Sequence, residues 1–110
     1  MVPGYLIVSA LSQALSLSRL EAETLSELGT VLSRSTLAIE EVIKPLRVYC
    51  AHFGEESEAL HFHLFPRTQW ITERYLEATS STSSPINGPL ILDWARATYR
   101  IPNQPVEMSR

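Results

Sequence analysis

The spacing of apolar residues predicts one long amphipathic helix in the first half of the chain. Leucine, isoleucine and valine side chains recur there at intervals of three and four residues, which places them on one helical face. Ser18 and Glu21 have the spacing of a capping box, and Pro45 cannot continue a helix. We therefore expect a helix over residues 19–44, with its apolar stripe packed against a sheet.

Three shorter segments have the composition of strands. Tyr5–Ser9 is rich in β-branched and aromatic residues and follows the turn signal Pro3-Gly4. Arg47–Phe53 has the same character, and after a few polar residues Glu58–Phe65 is expected to form another strand. Because so short a connection joins neighbouring strands, the last two segments should form an antiparallel hairpin.

Two further helices are expected in the second half of the chain. Thr68 can cap a short helix over Thr68–Ala78, and Gly88-Pro89 can begin another that continues over Leu90–Tyr99. The serine-rich residues 79–85 between them are typical of a mobile loop. Strands and helices in this order predict an α+β domain with an antiparallel sheet, one long helix and a C-terminal helix.

Length and charge restrict the classes of function. The 110 residues suit one domain, which we expect over 1–101 with a flexible tail over 102–110. A net charge of −3 argues against binding to a nucleic-acid polymer, which requires a basic surface. With one cysteine no internal disulfide can form, and no apolar run is long enough to cross a membrane. These features favour a cytoplasmic protein that does not bind membranes.

Two histidines on the last predicted strand are the best candidates for chemistry. Successive residues of a strand point to opposite faces, so His61 and His63 project together. Leu60, Phe62 and Leu64 then face the other way, into a core. Two imidazoles side by side on one sheet face, followed by Pro66-Arg67, are typical of a functional site.

The spacing alone leaves two other interpretations open. His61 and His63 could be surface residues of a half-solvated sheet. They could also hold a metal ion, which would need a third ligand such as His52 or Glu56. If the hairpin pairs His52 with Ala59, His52 joins the same face and completes a cluster of three histidines.

The sequence around these histidines resembles the histidine triad (HIT) family. Ala59–Arg67 matches the family's His-φ-His-φ-His-φ-φ strand and the Pro-Arg that often follows it, except at the first histidine. Pro3–Val8 resembles the family's P-G-H-x-L-φ-φ strand, and Phe53–Glu55 resembles the turn before the triad. The resemblance covers about residues 3–67 and is greatest to the bacterial diadenosine-polyphosphate-hydrolase-like branch.

The resemblance implies a HIT-like fold and a nucleotide hydrolase or nucleotidyl transferase. His61 would attack the α-phosphate of a nucleoside polyphosphate and form a covalent nucleotidyl-histidine that water hydrolyses. His63 and Gln13 would contact the phosphate, and His52 and Arg67 are possible accessory residues. The family's chemistry requires no metal or other cofactor, and its members are usually homodimers.

Three departures from the family pattern give a second hypothesis. Ala59 stands at the first triad position, and Gln13 stands where the family has a phosphate-binding histidine. Residue 3 aligns with a point that two strands and a short helix precede in the family, so from the resemblance we expect an N-terminally short or truncated domain. A catalytically impaired HIT-like module that binds a nucleotide or a protein is therefore the alternative, together with the His-x-His metal site.

Overall fold

A computed structural model describes residues 2–10, 15–53, 60–80 and 86–99, and the backbone of residues 106–107. Its elements follow the chain as β1 (Leu6–Ser9), a 3-10 turn (Leu17–Arg19), α1 (Ala22–Ile43), β2 (Arg47–Ala51), β3 (His61–Arg67), α2 (Gln69–Thr79), α3 (Gly88–Tyr99) and β4 (Val106–Glu107). The predicted α+β class is confirmed.

The sheet has the strand order β2-β3-β1-β4, so β3 carries the two histidines through its interior. β3 is antiparallel to both neighbours, with Ala51 paired to His63 on one side and Ile7 paired to His63 on the other. The predicted hairpin of β2 and β3 is thus confirmed. The two-residue β4 runs parallel to β1 and lies within the expected C-terminal tail. Residues 102–105 and 108–110 of that tail lie outside the described ranges.

One face of the sheet packs against α1. Leu60, Phe62 and Leu64 of the β3 region meet the buried helix residues Leu28 and Ile39 there. These strand positions are the alternate, apolar ones, so the predicted division of β3 between a core face and a histidine face is confirmed.

The other face is covered by α2 and α3, which the sequence pattern did not predict. Phe65 is fully buried on this face and packs in a cluster with Ile71 of α2 and with Leu92 and Ala95 of α3. The histidines therefore lie on the sheet face that α2 and α3 cover in part, and this cover determines how far each imidazole is buried.

The long helix is confirmed, but its predicted N-terminal cap is wrong. Ser18 lies in the 3-10 turn, whose cap is Ser16, and Glu21 is itself the residue before α1 and makes no capping hydrogen bond with its side chain. The helix ends at Ile43, and Lys44 adopts a left-handed conformation before Pro45. Ser18 and Glu21 therefore have the spacing of a capping box but do not form one, because Ser18 belongs to the 3-10 turn that precedes α1.

The strand boundaries differ by a few residues from those predicted. β2 ends at Ala51, and β3 extends through Pro66 to Arg67. The pairing of β1 with β3 extends only as far as Leu64, so at Pro66 the strand β3 is paired with β2 alone. Proline is tolerated there because it lies at an edge of the sheet.

The two short helices are confirmed together with their caps. The Thr68 hydroxyl accepts a hydrogen bond from the Ile71 amide at 3.1 Å at the start of α2. At the start of α3, the Asn87 side-chain oxygen accepts from the Leu90 amide at 3.1 Å. No helix in the described part of the chain is long and apolar enough to cross a membrane. Residues 81–85 of the predicted loop lie outside the described residues.

Candidate functional site

His61 and His63 lie side by side on the face of β3 that is turned towards α2 and α3. Their ring centroids are 5.4 Å apart and the rings meet edge to face. His63 is 3% exposed, whereas His61 is half-buried. The interpretation of both as surface histidines is therefore wrong for His63, which lies in the interior behind a more accessible partner.

His63 is bound by a tyrosine from the neighbouring strand region. The Tyr5 hydroxyl lies 2.6 Å from Nδ1 of His63, and the two rings pack edge to face. Tyr5 also packs edge to face against Phe65, whose ring stacks on Tyr49. Tyr5 is thus held in a row of aromatic rings that crosses the sheet beside the histidines.

The protonation of this pair follows from its burial. Burial raises the pKa of Tyr5 to about 12, so its hydroxyl keeps the proton near neutral pH and donates it to the hydrogen bond. Burial, and then the charges of Arg96, His61 and His52, lower the pKa of His63 to about 4. His63 is therefore neutral at pH 7, accepts at Nδ1, and carries its proton on Nε2.

Arg96 is the charged residue that sequence reasoning missed at this site. It lies in the last turn of α3 and is half-buried. Its positive charge acts on both Tyr5 and His63, where it disfavours a further positive charge on the imidazole and favours a negative one on the phenol. The signal available in the sequence was its position four residues after Leu92, which puts both on one helical face.

The two histidines have different neighbours on the adjacent strands. His63 is paired with Ala51 on one side and with the larger Ile7 on the other, whereas His61 is paired with the small Ser9. The Phe53 ring lies beyond β2 with its centroid 6.1 Å from that of His63, and it is half exposed. Because the Ser9 side chain is short, β1 leaves His61 only half-buried on the helix side.

His52 lies on the opposite face from the other two histidines. The observed register continues past Ala51 to put position 52 opposite Phe62, and the rings of His52 and Phe62 are 4.9 Å apart. The Nδ1–H of His52 donates to the backbone carbonyl of His61 at 3.2 Å. The cluster that would need His52 opposite residue 59 does not form in this register, so His52 supports the strand backbone beneath the site.

Arg67 lies at the other end of β3 from His61. Six residues of strand separate them, which corresponds to about 20 Å. The Arg67 guanidinium lies over the Tyr49 ring at 5.9 Å, and its buried Nε has no hydrogen-bond partner among the described residues. The structure does not bring this proposed accessory residue to the histidines.

Three further residues that the sequence analysis considered for the site lie outside the described part of the chain. They are Gln13, Ala59 and Glu56. Within the described ranges, no group of three His, Cys, Asp or Glu side chains is arranged to hold a metal ion. The side chains that the structure brings together are therefore His61, His63, Tyr5, Phe53 and Arg96.

No family model matches the chain, and no curated protein matches its sequence. The resemblance of the β1 and β3 residues to the HIT family therefore remains a prediction from the sequence.

Proposed function

We propose that the chain is a HIT-like domain that hydrolyses or transfers the nucleotidyl group of a nucleoside polyphosphate through a covalent intermediate on His61. The observation that carries the proposal is the pairing of an accessible His61 with the buried, neutral His63. A nucleophile needs access to its substrate, and a positioned neutral donor beside it can bind a phosphoryl oxygen.

The proposed reaction has two steps. A ring nitrogen of His61 forms a bond to the α-phosphorus, and the bond from that phosphorus to the bridging oxygen breaks, so that the remaining phosphate leaves with the electron pair. Water then attacks the same phosphorus, the phosphorus–nitrogen bond breaks, and a nucleoside monophosphate is released with one proton to solvent. His61 returns to its starting form, which makes the cycle complete.

His63 has the role of a fixed donor in this scheme. Because Tyr5 donates to Nδ1, the proton on Nε2 is available for a non-bridging phosphoryl oxygen. A donor that is already oriented needs no rearrangement as negative charge develops on that oxygen. Tyr5 is then a positioning residue that acts through His63.

The low pKa of His63 favours a second candidate function. A histidine that is neutral down to a pH of about 4 cannot donate a proton to a leaving group as an acid at pH 7. The chain could therefore bind a nucleotide without turning it over, as expected of a catalytically impaired HIT-like module. Nucleotide binding without product formation would select this alternative.

Both candidates share three further proposals. The finer assignment of the α+β fold is HIT-like, supported by the resemblance of β1 and β3 to the family strands. We place the chain in the cytoplasm as a proposal from its sequence. That it forms a homodimer is supported by large apolar side chains exposed on α1, among them Leu25, Leu37 and Val42. Neither candidate requires a metal or an organic cofactor. Light scattering would report the oligomeric state directly, and a monomer would contradict the dimer.

The deciding experiment is incubation of the full chain with diadenosine tetraphosphate in the presence of a chelator. The parent should release adenosine mononucleotide, and mass spectrometry after rapid quenching should detect one adenylyl group on His61. His61→Ala should abolish both signals, whereas Arg74→Gln, a change at an exposed residue of α2, should keep both. Equal turnover by His61→Ala and the parent would rule out the covalent mechanism.

A further inference from the structure

Two arginines at the end of β3 form a pair that the proposed reaction does not use. Arg67, the last residue of β3, lies directly opposite Arg47 in the antiparallel pairing with β2. Residues that pair in this way share a sheet face and have Cβ atoms about 5 Å apart. Both arginines therefore project from the face that α2 and α3 cover in part, about 20 Å along the strand from His61.

Aromatic packing holds the guanidinium of Arg67 in place. It lies over the Tyr49 ring, 5.9 Å from the ring centroid, and its Nε atom is buried. The Tyr49 ring in turn stacks on Phe65, with an angle of 9° between the planes. A Cβ on Gly88 would lie 3.2 Å from Cζ of Tyr49. The Tyr49 ring thus contacts both β3 and the first residue of α3, which fixes the surface on which the guanidinium lies.

The two guanidinium groups carry like charges that no carboxylate of the described residues balances. Neither Arg47 nor Arg67 forms an ion pair in that part of the chain, and the buried Nε of Arg67 has no hydrogen-bond partner there. Like charges that face each other across two strands destabilise the pairing. Arg47 is exposed to solvent, which leaves the arginine pair open to a ligand. An anion bound between the two groups would remove their repulsion.

We propose that Arg47 and Arg67 form a second site, separate from His61 and His63, which binds the phosphate group of a small phosphorylated molecule. Each guanidinium can donate two parallel hydrogen bonds, and a phosphate group has enough oxygens and negative charge to accept them from both. A carboxylate has two oxygens and a single charge, so it matches one guanidinium. The second site does not depend on the hydrolysis proposed for His61.

Titration of the full chain with inorganic phosphate at pH 7 tests the second site, with acetate at equal ionic strength as the singly charged reference. The readout is the nitrogen-15 NMR signal of the Arg67 Nε–H group, which is shielded from solvent because Nε is buried. Phosphate should shift this signal until the site is saturated, whereas acetate should leave it unchanged.

Variants of the arginine pair measure the contribution of each guanidinium. Arg47→Gln should weaken phosphate binding about tenfold, as expected for the loss of one charge-assisted hydrogen bond. Arg67→Lys keeps the charge but not the planar fork, so it should weaken binding less than Arg67→Gln does. The matched control is Arg74→Gln, which removes an exposed arginine that lies over the Trp70 ring at 5.6 Å, and it should keep the parent's affinity.

Thermal unfolding of Arg47→Gln separates binding from folding. Because Arg47 is exposed and faces a like charge, its replacement should leave the Tm without phosphate equal to or above that of the parent. Phosphate should raise the Tm of the parent and of Arg74→Gln, and should raise that of Arg47→Gln much less.

Three results would overturn the assignment: an Arg67 signal that phosphate does not shift, an equal response to acetate, or equal phosphate affinity in Arg47→Gln and the parent. His61→Ala distinguishes this site from the proposed reaction, because it should abolish turnover and leave the phosphate response of Arg67 intact. Loss of that response in His61→Ala would place the bound phosphate at the histidines and would also overturn the assignment.

Discussion

The Tyr5 hydroxyl lies 2.6 Å from Nδ1 of His63, although 58 residues separate the two in the chain. The contact joins the start of β1 to the interior of β3, and it fixes which imidazole nitrogen of His63 carries the proton. Burial raises the pKa of Tyr5 to about 12, so this hydrogen bond has a donor that stays protonated near neutral pH.

Tyr5→Phe should release this control of the tautomer. Nδ1 of His63 would lose its partner in a buried position, which costs about 1–3 kcal/mol of unfolding free energy. Nitrogen-15 NMR should show that the proton of His63 becomes shared between Nδ1 and Nε2. The proposed turnover of the nucleoside polyphosphate should also fall, although the nucleophile His61 is still present. Tyr99→Phe is the control, since the Tyr99 hydroxyl makes no side-chain hydrogen bond among the described residues and its ring packs on Trp94. Unchanged His63 spectra in Tyr5→Phe would refute the positioning role.

The stability of the chain should depend on pH through His63. Its pKa is lowered from 6.5 to about 4 by burial, so below pH 6.5 the unfolded chain binds more protons than the folded one. The stabilisation is fully present above pH 6.5 and is lost as the pH falls to about 4, by about 3 kcal/mol. Urea unfolding at several pH values should show this loss in the parent, and His63→Gln should reduce the slope over that interval. A parallel slope in both proteins would contradict the assignment of the proton to His63.

The sequence predicted those parts of the fold that depend on local periodicity. The period of α1 and the alternation along β3 were visible because each element has one buried face, and the Thr68 cap needs only a hydroxyl three residues before a free amide. The capping box failed for a physical reason. Ser16 satisfied the amide of Ser18 first and formed a 3-10 turn, so that α1 began at Ala22.

The sequence predicted the site residues only where they come from one strand. His61 and His63 share a sheet face because they lie two residues apart on β3. The face on which His52 lies depends on the register of the β2–β3 pairing, and a shift of one residue in that register would move His52 to the other face. Tyr5 and Arg96 come from other elements, and their approach depends on how β1 and α3 pack. The helices α2 and α3 also buried His63, which alternation along a strand cannot predict.

The cap of α2 gives a test of the region that covers the histidine face. Thr68→Ala removes the acceptor of the Ile71 amide, and it should lower the unfolding free energy by about 1 kcal/mol. Thr68→Ser keeps the hydroxyl and should stay within a few tenths of a kcal/mol of the parent. Chemical denaturation of the three proteins measures both effects. Equal losses in the alanine and serine variants would mean that the threonine methyl group, and not the cap, stabilises α2.

Gly4 and Gly29 offer a matched pair that tests the turn leading into the site. Gly4 has φ of 80°, and a Cβ there would lie 2.7 Å from Cγ1 of Ile43, so Gly4→Ala combines a strained backbone with a steric overlap against α1. We expect it to cost about 1–3 kcal/mol of unfolding free energy and to displace Tyr5, the next residue, from His63. Gly29 lies inside α1, and a Cβ there meets nothing within 4 Å, so Gly29→Ala should stabilise the chain by about 0.5–1 kcal/mol. Thermal denaturation gives the two signs, and nitrogen-15 NMR of His63 reports whether Tyr5 has moved. Stabilisation by Gly4→Ala would contradict the tight turn at Pro3-Gly4, and with it the geometry that brings the Tyr5 hydroxyl to the imidazole.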